Sequence, residues 1–195
     1  MDVIYQPKQI IFGENSLMEL ATLVKRKGMN HLLVIIDNIL TKPPMAYNEK
    51  INHLLSSIDV NVDFYSGYRG EPTTDDVKNA LDLIKNKEVD GVVAVGGGSA
   101  IDIAKAVSLF SKSPTLRWDE IAEQKELTRL PLIAIPTTAG TGSEATKVMV
   151  ITDIEKDIKM NPGHSDLVPY IAILDPNLMS SLPQNFTAFT GMDAL

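Results

Sequence analysis

The sequence predicts an α/β protein built on an open, mostly parallel sheet. Three observations carry that prediction. Strand-like and helix-like patterns alternate along most of the 195 residues. Several strand-like runs are apolar on both faces, as a central parallel strand requires. Polar, glycine-bearing segments then fall at the ends of those runs, where the ligands of such sheets sit.

Residues 3–12 are rich in Ile, Val, Tyr and Phe and predict a first strand closed by Gly13. Ser16 is a candidate cap for a helix over residues 17–27, where Leu17, Leu20, Leu23 and Val24 recur at helical spacing. Gly28 stands where a C-terminal helix glycine belongs. Residues 31–36 form a continuous apolar run ending in Asp37, the pattern of a buried parallel strand.

After the break at Pro43 and Pro44, a helix is expected over 47–57, a short strand over 60–65 and a loop over 67–74. Thr74 is a candidate cap for a helix over 75–87, with Val77, Ala80, Leu81 and Ile84 inward. A buried strand over 89–95 runs into Gly96-Gly97-Gly98-Ser99, and a helix over 100–110 follows. The polar stretch 113–127 carries a short helix near Asp119. Residues 130–135 predict a strand closed by Pro136, and 137–146 a loop. Strands are expected over 148–152 and 171–174, and a turn over 176–183.

Composition narrows the function classes. A net charge of -7 disfavours nucleic acids and anionic membranes as partners. The absence of cysteine excludes disulfides and thiolate metal sites and fits a cytoplasmic setting. Residues 1–20 lack the basic start and apolar run of a secretory leader. No apolar stretch approaches the roughly 18–20 residues of a membrane helix.

Three polar features mark strand ends. The turn at residues 96–99 joins strand to helix. Glycines let a backbone approach a phosphate, and the free N–H groups of the helix start attract the anion. A plain strand-to-helix turn is the alternative, and the position favours the phosphate. Asp37 can accept the ribose hydroxyls of an adenosine and would repel a 2′-phosphate, which favours NAD over NADP; a helix cap is the alternative. Because Asp37 precedes the glycines, a standard dinucleotide fingerprint is a poor match. The loop from Thr137 to Glu144 is dense in hydroxyls and glycine with a single charge, which favours ligand contact over a plain surface loop. Asp102, one turn into the helix, either steadies its start or faces the ligand. His31, His53 and His164 show no metal-type spacing.

Residues 96–102, 135–146, 173–176 and 190–195, taken together, resemble the iron-containing (group III) alcohol dehydrogenase family. The resemblance covers nearly the whole chain, with the motifs in family order and spacing. It implies the family's N-terminal nucleotide-binding domain alone. That domain is a Rossmann-like α/β fold shared with dehydroquinate synthase and glycerol dehydrogenase, here over residues 1–184. Residues 185–195 would begin a helical metal-binding domain of which this chain carries only the start.

The resemblance also implies roles. Asp37 would contact the adenosine ribose, and Gly97, Gly98 and Ser99 would hold the pyrophosphate. Thr137, Thr138 and Thr141 would line the adenine and nicotinamide side. Lys159 would reach the cofactor, Leu178 and Leu182 would bracket a further contact, and Asp193 would be the first ligand of Fe²⁺ or Zn²⁺. The family's other ligands are histidines that come later than residue 195. Two departures stand out: Gly13-Glu14-Asn15 lacks a second glycine, and Glu71-Pro72-Thr73-Thr74 lacks an asparagine after the proline.

The expected activity is hydride transfer between a small alcohol or aldehyde and NAD (less readily NADP), with a divalent metal as Lewis acid. One metal ligand cannot form a working site, so this chain alone is expected to bind cofactor and to have little activity. The alternatives are a glycerol dehydrogenase-like enzyme and a truncated module that binds dinucleotide or self-associates through apolar surface.

Overall fold

The computed structural model describes residues 4–180 and 184–194. Fourteen strands and α-helices follow one another: β1 (Gln9–Phe12), α1 (Glu19–Arg26), β2 (His31–Ile36), α2 (Tyr47–Ser56), β3 (Asn61–Tyr65), α3 (Thr74–Ile84), β4 (Gly91–Gly96), α4 (Gly98–Phe110), β5 (Leu132–Pro136), β6 (Ile151–Asp153), β7 (Ile158–Met160), β8 (Ile171–Leu174), α5 (Pro176–Met179) and α6 (Gln184–Asp193). Six strands form one sheet in the order β1-β8-β5-β4-β2-β3, every pair parallel. The alternation read from the sequence is therefore an open parallel sheet.

Two apolar layers sandwich that sheet, and the period of two along each strand decides which residue joins which. Leu33, Ile35, Val92 and Ala94 face the layer made by α3 and α4. Leu32, Val34, Ile36, Val93 and Val95 face the layer that contains Leu20, Leu23 and Val24 of α1 and Ile51 and Leu55 of α2. Leu32 to Ile36 are wholly buried, which is why that run is apolar on both faces. Each such side chain contributes about 1.5–3 kcal/mol by leaving water.

Local chemistry sets the ends of the elements, and four departures from expectation show how. The first strand begins at Gln9, because β1 is an edge strand whose one partner, β8, offers only four residues, paired Gln9 with Ile171 through Phe12 with Leu174. Ser16 does not cap the first helix. It lies in a short 3₁₀ turn, Ser16–Met18, before α1, and the Asp175 carboxylate accepts the N–H groups of Asn15 and Leu17 at 3.1 Å each. Thr73, not Thr74, caps α3: its hydroxyl accepts from the Asp76 N–H at 3.2 Å and Asp76 accepts from the Thr73 N–H at 2.9 Å. That reciprocal box needs an acidic or amide residue three positions on, which Thr73 has and Thr74 lacks. Residues 148–152 do not join the main sheet. Ile151–Asp153 pairs antiparallel with Ile158–Met160, and the Val150 N–H is taken by Asp102 at 3.0 Å. Gly28 does end the first helical segment as expected, at φ 65. Among the described residues no helix is long and apolar enough to cross a membrane.

Candidate functional site

β2, β4 and β5 are adjacent, and their C-terminal ends are level: Ile36 pairs with Val95, and Gly96 with Pro136. The chain leaves β2 toward α2 in one apolar layer and leaves β4 into α4 in the other. A crevice at such a switch point is where open α/β sheets seat ligands. Asp37, the glycine turn and the threonine-rich loop all begin at this crest.

The three features touch. The Asp37 carboxylate accepts a long hydrogen bond from the Gly97 N–H at 3.5 Å. A Cβ on Gly96 would lie 2.8 Å from the Ala100 Cβ and 3.0 Å from Asp37 Oδ2, so only glycine lets strand, carboxylate and helix meet. The Thr137 N–H donates to the Gly96 carbonyl at 3.0 Å. A Cβ on Gly97 would meet the Thr138 methyl at 3.3 Å, and one on Gly98 would meet the Ser143 hydroxyl at 3.2 Å and Thr141 at 3.3 Å. The hydroxyl-bearing loop thus lies over the bare backbone of the turn. Gly97 is the N-cap of α4 and no side chain caps that helix, so its first-turn N–H groups face the crest as an anion site would need.

Burial pushes the Asp37 carboxyl above its ordinary range, and the Gly97 N–H and the neighbouring Tyr68 hydroxyl pull it back. Burial and the Asp37 charge in turn push the Tyr68 hydroxyl far up, so it stays protonated. Asp102 is 7% exposed and also raised by burial, against the Lys105 charge, the Val150 N–H and Ser143.

Beside the crest a cleft of about 550 Å³ is lined by Ser99, Asp102, Thr141, Ser143, Lys159 and Asp193 among others. Glu71 forms part of its wall and pairs with Lys159 at 2.6 Å. Both partners are more than half exposed, so the pair stabilises by at most about 1 kcal/mol. Ser99 donates to the Gly70 carbonyl at 3.1 Å, tying the helix start to the loop before α3. The carbonyl of Thr190 presses against Gly140, where no Cβ would fit, and α6 thereby reaches the threonine loop and carries Asp193 to the cleft. A larger groove of about 730 Å³ opens at the opposite end of β4, near Lys87, Asp90 and Phe110. It sits at the C-terminal ends of α3 and α4, which suits an anion poorly.

The structure thus gathers Asp37, Gly97, Gly98, Thr137 and Thr138 along the crest, with Ser99, Asp102, Thr141, Lys159 and Asp193 in the adjoining cleft. Leu178 is buried in the apolar layer shared with α1 and α2 and is not part of the cleft lining. Leu182 lies outside the described residues. Among the described residues no three His, Asp or Glu side chains are grouped as a metal site would need. Sequence reasoning missed Tyr68 and Lys105, and it touched Ser143 and Glu71 only as members of the 137–144 loop and the 71–74 motif. Lys105 left a signal: it is a cation three residues after Asp102 in a helix whose other buried residues are apolar except Ser108.

Fold and crest together place this chain in the Rossmann-like α/β class. Within that class the chain belongs to the iron-containing alcohol dehydrogenase family, whose model matches residues 7–176. Alcohol dehydrogenase 4 of Schizosaccharomyces pombe is 36% identical, aligned over 98% of this chain and 45% of that protein. The solved alcohol dehydrogenase of Oenococcus oeni has a TM-score of 0.89 at 29% identity, with 99% of this chain and 51% of that one covered. The sulfoacetaldehyde reductase of Bifidobacterium kashiwanohense, solved with NAD+, has a TM-score of 0.85 at 30% identity, with 99% and 51% covered. The chain spans about half the length of these relatives.

Proposed function

We propose that this chain is the cofactor-binding part of an iron-type alcohol dehydrogenase and seats NAD across the crest between β2 and β4. One observation carries the reading: the Asp37 carboxylate, the backbone of Gly96 to Gly98 and the hydroxyls of Thr138, Thr141 and Ser143 meet there. The first-turn N–H groups of α4, with Ser99, would bind the pyrophosphate. Asp37 would accept the ribose hydroxyls and repel a 2′-phosphate, favouring NAD over NADP. Thr137 stiffens the loop through the Gly96 carbonyl, and its neighbours Thr138 and Thr141 would line the adenine and nicotinamide side. Asp102 and Lys159 would face the ligand from the cleft. Leu178 supports the core under this edge.

When bound, a nicotinamide dinucleotide supplies the hydride acceptor for oxidation of a small alcohol, or the donor for reduction of an aldehyde. The chain's own part is to bind and orient it. The fold of the described residues within 1–184 supports the assignment of 1–184 as the nucleotide domain, and α6 supports the assignment of 185–195 as the start of a helical domain: Phe189 and Met192 are about two-thirds exposed. For the metal the described residues do not suffice. Asp193 offers one carboxylate at the cleft, where Fe²⁺ or Zn²⁺ needs several ligands.

The test is calorimetric titration of the 195-residue chain with NADH and NADPH, alongside Asp37→Ala. NADH is expected to bind more tightly than NADPH, and Asp37→Ala is expected to narrow that gap by about ten-fold. A parent chain that binds neither nucleotide, or an unchanged gap in Asp37→Ala, would overturn the reading.

A further inference from the structure

Lys105 sits in the middle of α4 with its side chain wholly buried. Lysine is almost never buried this completely unless its charge is met. Here three acceptors meet the three ammonium protons: the Thr146 carbonyl at 2.9 Å, the Thr146 hydroxyl at 3.1 Å and the Val148 carbonyl at 2.6 Å. The Asp102 carboxylate lies one helical turn back at 3.8 Å. Burial pulls the Lys105 ammonium down to about 8 against Asp102 and Glu144, which hold it up, while Arg129 pulls it further down.

All three hydrogen bonds go to one place, the segment by which the chain leaves the threonine-rich loop. The entry of that loop is fixed independently, where the Thr137 N–H meets the Gly96 carbonyl. Asp102 grips the same exit two residues on, through the Val150 N–H. Between the two anchors lie Thr138, Thr141 and Ser143, whose side chains rest on Gly97 and Gly98. Lys105 itself is not part of the cleft lining.

We propose that Lys105 is a positioning residue for dinucleotide binding: from beneath the cleft it fixes the exit of the threonine-rich loop and so holds the loop hydroxyls over the glycine turn. The ligand half of this proposal rests on the dinucleotide reading of the crest. The anchoring half does not.

Two measurements on Lys105→Met separate the halves. Amide hydrogen exchange without ligand is expected to speed up by about ten-fold or more at Ala145, Met149 and Val150, while Val93, Ala94, Ile133 and Ala134 keep their protection. The Kd for NADH is expected to rise by about ten-fold or more, the weight of one or two charge-assisted hydrogen bonds. A third arm restores the charge. The chain has no cysteine, so Lys105→Cys can be alkylated with 2-bromoethylamine while unfolded and then refolded, placing an amine at nearly the original reach. That chain is expected to return to within about three-fold of the parent in both measurements.

Loop exchange that stays at the parent rate in Lys105→Met sinks the anchoring role, whether or not the parent binds NADH. Loss of protection in β4 and β5 along with the loop shows a general core role and overturns the proposal. So does a folded, alkylated chain that stays weak. Failure of the parent itself to bind NADH sinks the dinucleotide reading and the ligand half with it, while the exchange arm still decides the anchor.

Discussion

Gly96→Ala should damage the crest and the fold together, and the structure sets the size of the effect. The added Cβ would lie 2.8 Å from the Ala100 Cβ and 3.0 Å from Asp37 Oδ2. Carbon atoms rest about 3.5–4.0 Å apart, so roughly 1 Å must be found. β4 cannot supply it, because it is paired on both sides, to β2 and to β5. Ala100 is wholly buried in the first turn of α4, so that turn must tilt, and the Asp37 carboxylate must swing aside. Overpacking of this kind costs about 1–3 kcal/mol. For a chain of this length each kcal/mol moves Tm by about 2–4 °C, so a fall of roughly 2–12 °C is expected. NADH binding should weaken by about ten-fold or more, because both the proposed anion site and the proposed ribose acceptor would be displaced. Thermal unfolding and NADH titration would be read beside a control, Gly191→Ala in α6, where nothing lies within 4 Å of the new Cβ. The control should be neutral or gain about 0.5–1 kcal/mol. A Gly96→Ala chain with the parent's Tm and NADH affinity would refute the claim that this glycine is the meeting point of strand, helix and carboxylate.

Two further outcomes concern the frame around the site. Asp175→Ala strands three backbone N–H groups, those of Asn15, Leu17 and Asn177, each bonded at 3.1 Å, and should cost about 2–4 kcal/mol in urea unfolding; a cost below about 0.5 kcal/mol would show that the carboxylate is not the cap. Asp63 titrates low: burial pushes it up, and Lys87 and His31 more than offset that. A depressed folded value means that its contribution is complete above the ordinary aspartate range near 3.9 and disappears as pH falls through the lower folded value. The gap in urea midpoint between the parent and Asp63→Asn should therefore be present at pH 7 and shrink toward pH 3; a gap that widens on acidification would reverse the assignment.

The elements legible in the sequence are those whose signal is local. β8 is found at its expected residues because an apolar run between turn signals can only be a strand there. α2 ends one residue short of its expected end, and α4 begins two residues early because Gly98 and Ser99 enter its first turn. What stayed hidden depends on contacts far apart in the chain. Asp175 caps a turn 160 residues earlier in sequence. Tyr68 reads as one more aromatic in a loop until the fold places it beside Asp37. The segment 148–152 carries strand-like residues, yet its backbone is claimed by Asp102 and Lys105 before the main sheet can take it. Local propensity names the candidates there, and tertiary hydrogen bonds choose among them.

The order of the acidic residue and the glycines, which made the chain a poor match to the common dinucleotide fingerprint, has a topological cause. That fingerprint needs its glycine turn and its acidic residue at the ends of two adjacent parallel strands, and nothing in the physics requires the glycines to come first. Here the chain makes β2, steps outward to β3, and returns past β2 to lay down β4 on its other side. The strand bearing the glycine turn thus becomes the neighbour of the strand bearing Asp37, although 59 residues separate Asp37 from Gly96. The same return puts the two following helices on opposite faces, which opens the crevice above that strand pair. Adjacency and the crevice follow from one crossover, so a rearrangement that kept both motifs but exchanged the places of β2 and β3 in the sheet would part Asp37 from the glycine turn and lose the site, while leaving every motif in the sequence intact.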